Sequence, residues 1–221
     1  MKPWTKQFIE LAIEAEALRF GDFTLKSGRK SPYFFNAGQF NDGNTLARLA
    51  DYYADAIVDA MENQALEFDL LFGPAYKGIP LAAVVAVSLM RRHQLNVPIT
   101  YNRKEMKAHG EGGMMVGAEI KGRVLIIDDV LSGGTAFNEC RPMIEQRGGA
   151  VVGLVVGLDR QERARHSDLS ASGKIIASGA KMIAVASLAD LIQQIQQAAV
   201  QTPDHAEKLS AMLDFQSKYG A

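Results

Sequence analysis

Residues 124–135, Val-Leu-Ile-Ile-Asp-Asp-Val-Leu-Ser-Gly-Gly-Thr, constrain the fold more than any other stretch. A run of apolar residues with no polar alternation predicts a strand buried on both faces, as in a parallel sheet covered by helices. That strand, predicted over Arg123–Ile127, delivers two adjacent carboxylates, Asp128 and Asp129, to its carboxyl end, where ligands bind in open α/β sheets. Small, hydroxylated and glycine residues follow, and a helix is expected behind them to about Arg147. Glycines let backbone N–H groups converge, and a helix N-terminus adds partial positive charge, so Ser132–Thr135 suits an anion such as phosphate. The carboxylates just before it would repel the same anion. They suit hydroxyl donors, such as the 2′ and 3′ hydroxyls of a sugar phosphate.

The rest of the chain alternates between helical and strand patterns. Apolar residues at helical spacing predict helices over about 4–19, stopped by Gly21, and over Leu46–Met61. Residues 22–40 read as short strands and turns, a small flap. Strands are predicted at Phe68–Phe72, Val97–Tyr101, Ala150–Leu158 and Lys181–Ala186, with a helix at Ile79–Arg92. Ser187 and Asp190 have capping-box spacing for a helix to about Ala199, and Thr202-Pro203 opens a terminal helix. Arg103–Val116 shows no periodicity and is rich in charge and glycine, as in a segment that stays mobile until a ligand orders it. In 166–180, Gly173 and Gly179 would interrupt any helix. Near-continuously apolar strands separated by helices predict an α/β fold with a mostly parallel central sheet flanked by helices.

Composition removes several function classes. The 221 residues suit a single domain or a domain with an appended piece. Lys and Arg number 24 against 25 Asp and Glu, a net charge of −1, which argues against a protein that coats nucleic acid. One cysteine, Cys140, rules out an intramolecular disulfide and a cysteine-rich metal cluster. The start lacks the apolar core of a secretory signal. The longest apolar run, Ile79–Val87, falls short of the roughly 20 residues a membrane span needs. The expectation is a cytoplasmic protein with no membrane contact. Gly73-Pro-Ala-Tyr-Lys-Gly78 is not a Walker A loop, because Ile79 and Pro80 stand where Lys and Ser or Thr belong, and no G-x-G-x-x-G is present.

On these residues the 124–135 segment resembles the phosphoribosyl diphosphate (PRPP) motif of type I phosphoribosyltransferases. Three further segments are similar to the orotate phosphoribosyltransferase family. They are the hood segment Phe23–Asn36, the pyrophosphate loop Gly73–Gly78 and the catalytic loop running from Tyr101 through His109. With Leu158-Asp-Arg160-Gln-Glu-Arg163, the similarity runs through the whole chain in order. It implies a type I phosphoribosyltransferase fold in one domain, with about 65–190 as core and about 1–40 plus the C-terminal helices as hood and cover. It implies the single-function bacterial form, with no space for a fused decarboxylase.

The resemblance assigns roles to particular residues. Lys107, Asp128 and Asp129 would be catalytic. PRPP would contact Lys26, Tyr76, Lys77, Arg103, Lys104, Lys107 and His109, together with Asp128, Asp129 and the loop Val130, Leu131, Ser132, Gly133, Gly134, Thr135 and Ala136. Orotate would contact Lys26, Phe34, Phe35, Ser132 and Arg160. Mg²⁺ would be held mainly by substrate oxygens, with no protein ligand set of its own. A homodimer is implied, with the 103–113 loop reaching the partner's site, and so is a cis peptide at Ala75-Tyr76. The chain departs from the usual pattern at Ser132-Gly133, where the family has Thr and another small residue, and in a longer 61–67 stretch.

Plainer readings compete at several positions. Two adjacent phenylalanines, Phe34 and Phe35, are often core, and Arg160 has Asp159 and Glu162 beside it for a surface ion pair. Cys140 has no flanking base and reads as a packed residue. His93 and His166 lack partners in spacing. A transferase for another base would share the acidic pair, so the hood and Arg160 discriminate it. A PRPP-responsive regulator of nucleic acid would show a salt-dependent shift of RNA or DNA without turnover.

Overall fold

A computed structural model describes residues 1–25, 28–107, 113–163, 169–199 and 203–221. Helix α1 (Pro3–Glu14) leads into an antiparallel pair, β1 (Leu18–Thr24) and β2 (Lys30–Phe35). Then come α2 (Gly43–Asn63), β3 (Leu70–Gly73), α3 (Gly78–His93), β4 (Ile99–Lys107) and β5 (Gly113–Gly117). The second half is β6 (Gly122–Leu131), α4 (Thr135–Glu145), β7 (Gly149–Asp159), α5 (Ala171–Ala177), β8 (Lys181–Ser187), α6 (Leu188–Ala199) and α7 (Pro203–Tyr219).

The main sheet has six strands in the order β5-β4-β3-β6-β7-β8, parallel except for β5, which pairs antiparallel with β4. β1 and β2 form a separate two-stranded hood. Strand alternation divides the core. Leu71, Leu125, Ile127, Val155 and Val185 pack on one side with α1, α2, α3 and α6. Leu70, Phe72, Val124, Ile126, Leu154 and Val156 pack on the other with α4 and α5. All of these side chains are buried, which explains why the strands read as unbroken apolar runs. After β3 the chain builds β4 on one side, then returns to place β6 on the other. The carboxyl ends of β3 and β6 therefore flank the point where strand order reverses, which is where open α/β sheets form their ligand crevice.

Four expectations need correction. The first helix ends at Glu14 rather than near residue 19, and Gly21 lies inside β1 at an irregularity in its pairing with β2. Residues 18–20 join the hood because Leu18, Arg19 and Phe20 find partners in Phe35, Phe34 and Tyr33, a tertiary pairing that overrides local helix periodicity. Residues 103–107 continue β4, and Lys107 pairs with Gly113 of β5 after an irregularity that follows Asn102, so part of the aperiodic 103–116 stretch is strand. Backbone hydrogen bonds, which need no side-chain pattern, sustain it. β6 does not stop at Ile127 but runs through both acids to Leu131, because Asp128, Val130 and Leu131 pair with Val156, Leu158 and Asp159 of β7.

Finally, α5 spans Gly173. Ser170 caps it by accepting from the Gly173 N–H at 3.0 Å, and burial of Ala171 and Ile175 outweighs the helix cost of glycine, about 1 kcal/mol. The capping box at α6 is present: Ser187 N–H donates to Asp190 Oδ2 at 2.8 Å, and Asp190 N–H donates to Ser187 Oγ at 3.2 Å.

The packing predicts a sharp contrast between two apolar truncations. Leu125→Ala empties space at a fully buried β6 position and should cost about 2–5 kcal/mol. Ile176→Ala, at a 60% exposed site on α5, should stay within about 0.5 kcal/mol. Urea unfolding of the two variants checks this, and similar losses at both sites would contradict it.

Candidate active site

The acidic pair sits where the central strand leaves the core. Asp128 and Asp129 are consecutive in an extended strand, so their side chains leave on opposite faces. Asp129 is nearly buried and faces the side of α2 and α3. There its Oδ2 accepts from Lys77 Nζ at 2.9 Å, and Lys77 also lies 3.4 Å from Asn36 Oδ1. Asp128 accepts the Asp129 backbone N–H on Oδ1 at 2.9 Å. Its own carbonyl accepts from the Tyr53 hydroxyl of α2 at 2.8 Å. A cavity of about 130 Å³ adjoins this point, lined by Phe35, Phe40, Tyr53, Lys77, Leu81 and Asp129 among others.

Beyond Leu131, Ser132 and Gly133 are exposed, and Gly134 takes φ +75° as the residue that opens α4. The 132–135 turn thus points the first N–H groups of an 11-residue helix outward at the mouth of the crevice. Across the switch point, the Gly73–Gly78 loop folds onto itself. A Cβ on Gly73 would lie 2.3 Å from the Gly78 carbonyl oxygen, and one on Gly78 would lie 2.4 Å from Pro74 Cδ and 2.9 Å from the Ile127 carbonyl oxygen. Only glycine allows this approach to β6. The Ala75-Tyr76 peptide is cis. Asn102 of β4 fastens the loop by accepting from the Ala75 N–H at 2.9 Å.

The expected residues divide into four groups. Tyr76, Lys77, Asp128, Asp129 and the Val130–Ala136 stretch gather around one crevice, and Lys104 Nζ lies 4.9 Å over the ring of Tyr76, which is 65% exposed. Phe34 and Phe35 part company. Phe35 is buried against Phe8 and Phe40, whereas Phe34 stacks on Phe23 at 5.5 Å with the Arg19 guanidinium 5.8 Å from its ring. Arg160 is buried rather than on the surface. Its backbone N–H donates to the Leu131 carbonyl at 3.1 Å, beside the 132–135 turn, and its Nε donates to Glu162 Oε1 at 2.5 Å. Lys26, His109 and His166 lie outside the described residues, and Lys107 is described by its backbone alone, as the last residue of β4.

Comparisons with known proteins establish the family. A phosphoribosyl transferase domain model matches residues 37–202. Orotate phosphoribosyltransferases from Aeromonas salmonicida and Salmonella newport are each 48% identical over all 221 residues, covering 100% of both chains.

The chain belongs to the orotate phosphoribosyltransferase family.

The crystal structure of the Francisella tularensis orotate phosphoribosyltransferase superposes with a TM-score of 0.85 at 39% identity, covering 97% of this chain and 100% of that one. The Mycobacterium tuberculosis H37Rv orotate phosphoribosyltransferase in complex with PRPP shares the fold, with a TM-score of 0.62 at 21% identity over 86% of this chain and 99% of that one.

Within this family member, several groups around the crevice escaped sequence reasoning. Tyr53 occupies an apolar position of α2, and its only signal was a phenol where a hydrocarbon would do. Asn36 and Asn102 gave no role of their own, since they act through partners 41 and 27 residues away, whereas Glu162 was readable as a neighbour of Arg160 but its second partner, Arg29, lies 133 residues away.

Electrostatics at the pair are tight. Burial, then the neighbouring Asp129 carboxylate, pushes the Asp128 carboxyl up to about 7. Burial likewise raises the Tyr53 phenol, and Asp129 and Asp128 push it further up. Cys140, buried on α4, is pushed up to about 12 by burial and by Asp128, so it is a packed thiol with little thiolate character.

A pH-dependent stability follows. With its value raised from the ordinary 3.8 to about 7, Asp128 binds a proton more tightly folded than unfolded. The stability this contributes is fully present below the unfolded value and is lost as pH rises through about 7. Asp128→Asn should therefore melt above the wild type near pH 8, with the gap narrowing steadily toward pH 4. Thermal unfolding across that range checks it, and a constant gap would contradict it.

Proposed function

We propose that this protein transfers the phosphoribosyl group of PRPP to orotate, giving orotidine 5′-monophosphate and pyrophosphate, a step of pyrimidine (UMP) biosynthesis. The observation that carries the reading is the Asp128-Asp129 pair set between an outward-facing helix N-terminus and the 73–78 loop at the sheet's switch point.

Each part has a chemical task. The 5′-phosphate would lie on Ser132–Ala136, where N–H groups and hydroxyls converge without a competing side chain at Gly133 and Gly134. Asp128 and Asp129 would accept the ribose hydroxyls. Breaking the anomeric C–O bond leaves positive charge on the ribose ring, and two fixed carboxylates beside it stabilise that charge without reorganising. Lys77 is half-exposed and tethered to Asp129, so it can turn to an incoming diphosphate oxygen. Arg103, Lys104, Lys107 and His109, with Lys26, would surround the polyanionic diphosphate, and closure of the 103–113 segment would exclude water. Orotate would lie between the hood, with Lys26, Phe34 and Phe35, and Ser132 and Arg160, the guanidinium facing its carboxylate.

Among the described residues no group of three or more side chains could hold a metal ion. A Mg²⁺ ion here would take its ligands mainly from substrate oxygens and water, in a crevice where Asp129 already answers the Lys77 cation. When bound, it would neutralise the departing pyrophosphate.

A homodimer completes the reading. The exposed Tyr76, Val87 and Met90 on and before α3 favour such a contact. Among the described residues no helix is long and apolar enough to cross a membrane, and the single buried thiol suits a cytoplasmic setting.

The direct test is loss of orotate absorbance with PRPP and Mg²⁺, with uracil, hypoxanthine and adenine run beside it. Turnover of another base but not of orotate would overturn the assignment. Lys107→Ala should lower kcat by about 100-fold or more while changing the KM for PRPP far less, because its charge matters most as pyrophosphate leaves. An unchanged kcat would remove that role.

A further inference from the structure

Glu162 stands outside every role assigned so far. It is 5% exposed, yet its carboxylate serves two guanidiniums: Oε1 accepts from Arg160 Nε at 2.5 Å, and Oε2 accepts from Arg29 Nη1 at 2.8 Å. Charge-assisted pairs of this kind are directional, so each fixes the plane of the guanidinium it engages. Around Arg160 other directions are also taken. Nη2 donates to Ser31 Oγ at 3.3 Å, the guanidinium carbon lies 4.4 Å from the Tyr33 ring centroid, and the backbone N–H is held by Leu131. Among the described residues no hydrogen bond involves Arg160 Nη1. Two arginines thus share the Glu162 carboxylate, close to the 132–135 turn.

The chain terminus fixes Glu162 in turn. Glu162 forms an antiparallel bridge with Gly220. On either side of it, Ala221 N–H donates to the Gln161 carbonyl at 3.1 Å, and Arg163 N–H donates to the Tyr219 carbonyl at 2.8 Å. Arg163 Nη2 reaches the Lys218 carbonyl at 2.8 Å. Arg29 closes the circuit, lying 5.1 Å over the Tyr219 ring and donating to the Arg163 carbonyl at 3.0 Å. A Cβ on Gly220 would lie 2.4 Å from the Gln216 carbonyl oxygen, so the terminus can adopt this path only with glycine there. The C-terminal residues are thus tied to residues 161–163, the segment that carries Arg160, by three hydrogen bonds, with Arg29 spanning from the Tyr219 ring to the Arg163 carbonyl.

We infer that Glu162 is a positioning residue which, clamped by Tyr219-Gly220-Ala221, aims the Arg160 guanidinium at the base carboxylate. This rests on the proposed reading that Arg160 faces orotate. It adds a requirement that the base site be completed by the last residues of the chain, which are far from it in sequence.

The test is steady-state kinetics with orotate varied, alongside direct binding of PRPP. Glu162→Gln, and a chain ended at Tyr219, should each lower kcat/KM for orotate about tenfold or more while the Kd for PRPP stays within about twofold. Placed in an Arg160→Ala background, Glu162→Gln should add no further loss, because it acts through the missing side chain. An Arg160→Ala variant with wild-type kcat/KM for orotate would remove the underlying reading of the base site. If Arg160→Ala loses orotate while Glu162→Gln and the shortened chain keep wild-type values, the positioning role alone is overturned. Equal losses from Glu162→Gln with and without Arg160, or parallel weakening of PRPP and orotate, would also overturn it. Should Glu162→Gln fail to fold, the shortened chain, which removes only partly exposed residues, decides the matter by the same criteria.

Discussion

Two adjacent carboxylates at the buried end of a central strand are the constraint on which the rest depends. An apolar strand such as β6 gains stability by withdrawing from water, and that withdrawal penalises any charge at its end. The protein meets the cost unevenly. Asp129 receives Lys77, whereas Asp128 accepts the Asp129 backbone N–H and has its carboxyl raised to about 7 by burial and by Asp129. The surrounding features make sense as consequences. Lys77 is brought in by a loop that must cross β6 closely, and that crossing requires Gly73 and Gly78. Tyr53 supports the strand at Asp128 from the opposite layer.

The same economy of position recurs at the rim. The 132–135 turn and Arg160 follow neighbouring parallel strands, so the β6-to-β7 pairing places both at one end of the sheet. The hairpin β4–β5 and the loop after β3 meet there too, through Asn102 and through Lys104 over Tyr76. Cations and acids that balance to −1 over the whole chain are separated locally, which is what a polyanionic sugar substrate requires.

Legibility from sequence varied with the range of the interaction. The parallel core strands were readable because burial on both faces leaves an apolar run that little else produces. The α6 capping box was readable because its partners are three residues apart. The ends of elements were not. α1 stops short of residue 19 because the hood recruits Leu18–Phe20 into pairing with residues 33–35. α5 tolerates Gly173 because its burial is tertiary. At the site, the acids, the phosphate turn and the 73–78 loop announced themselves as local runs. Tyr53, Asn36 and Asn102 act across long separations and looked ordinary, and the reach of Glu162 to Arg29 is of the same kind.

By itself, the sequence determined the sheet class, the acidic pair, the glycine-rich turn after it and the family resemblance, because each is encoded in contiguous residues whose chemistry is local. Only the tertiary structure decided which side each carboxylate takes, which cation answers which acid, and that Arg160 is a buried, clamped group rather than a surface one. Those outcomes depend on strand order and on where a chain returns after a hundred residues or more. A linear pattern of residue types carries no record of that distance in space.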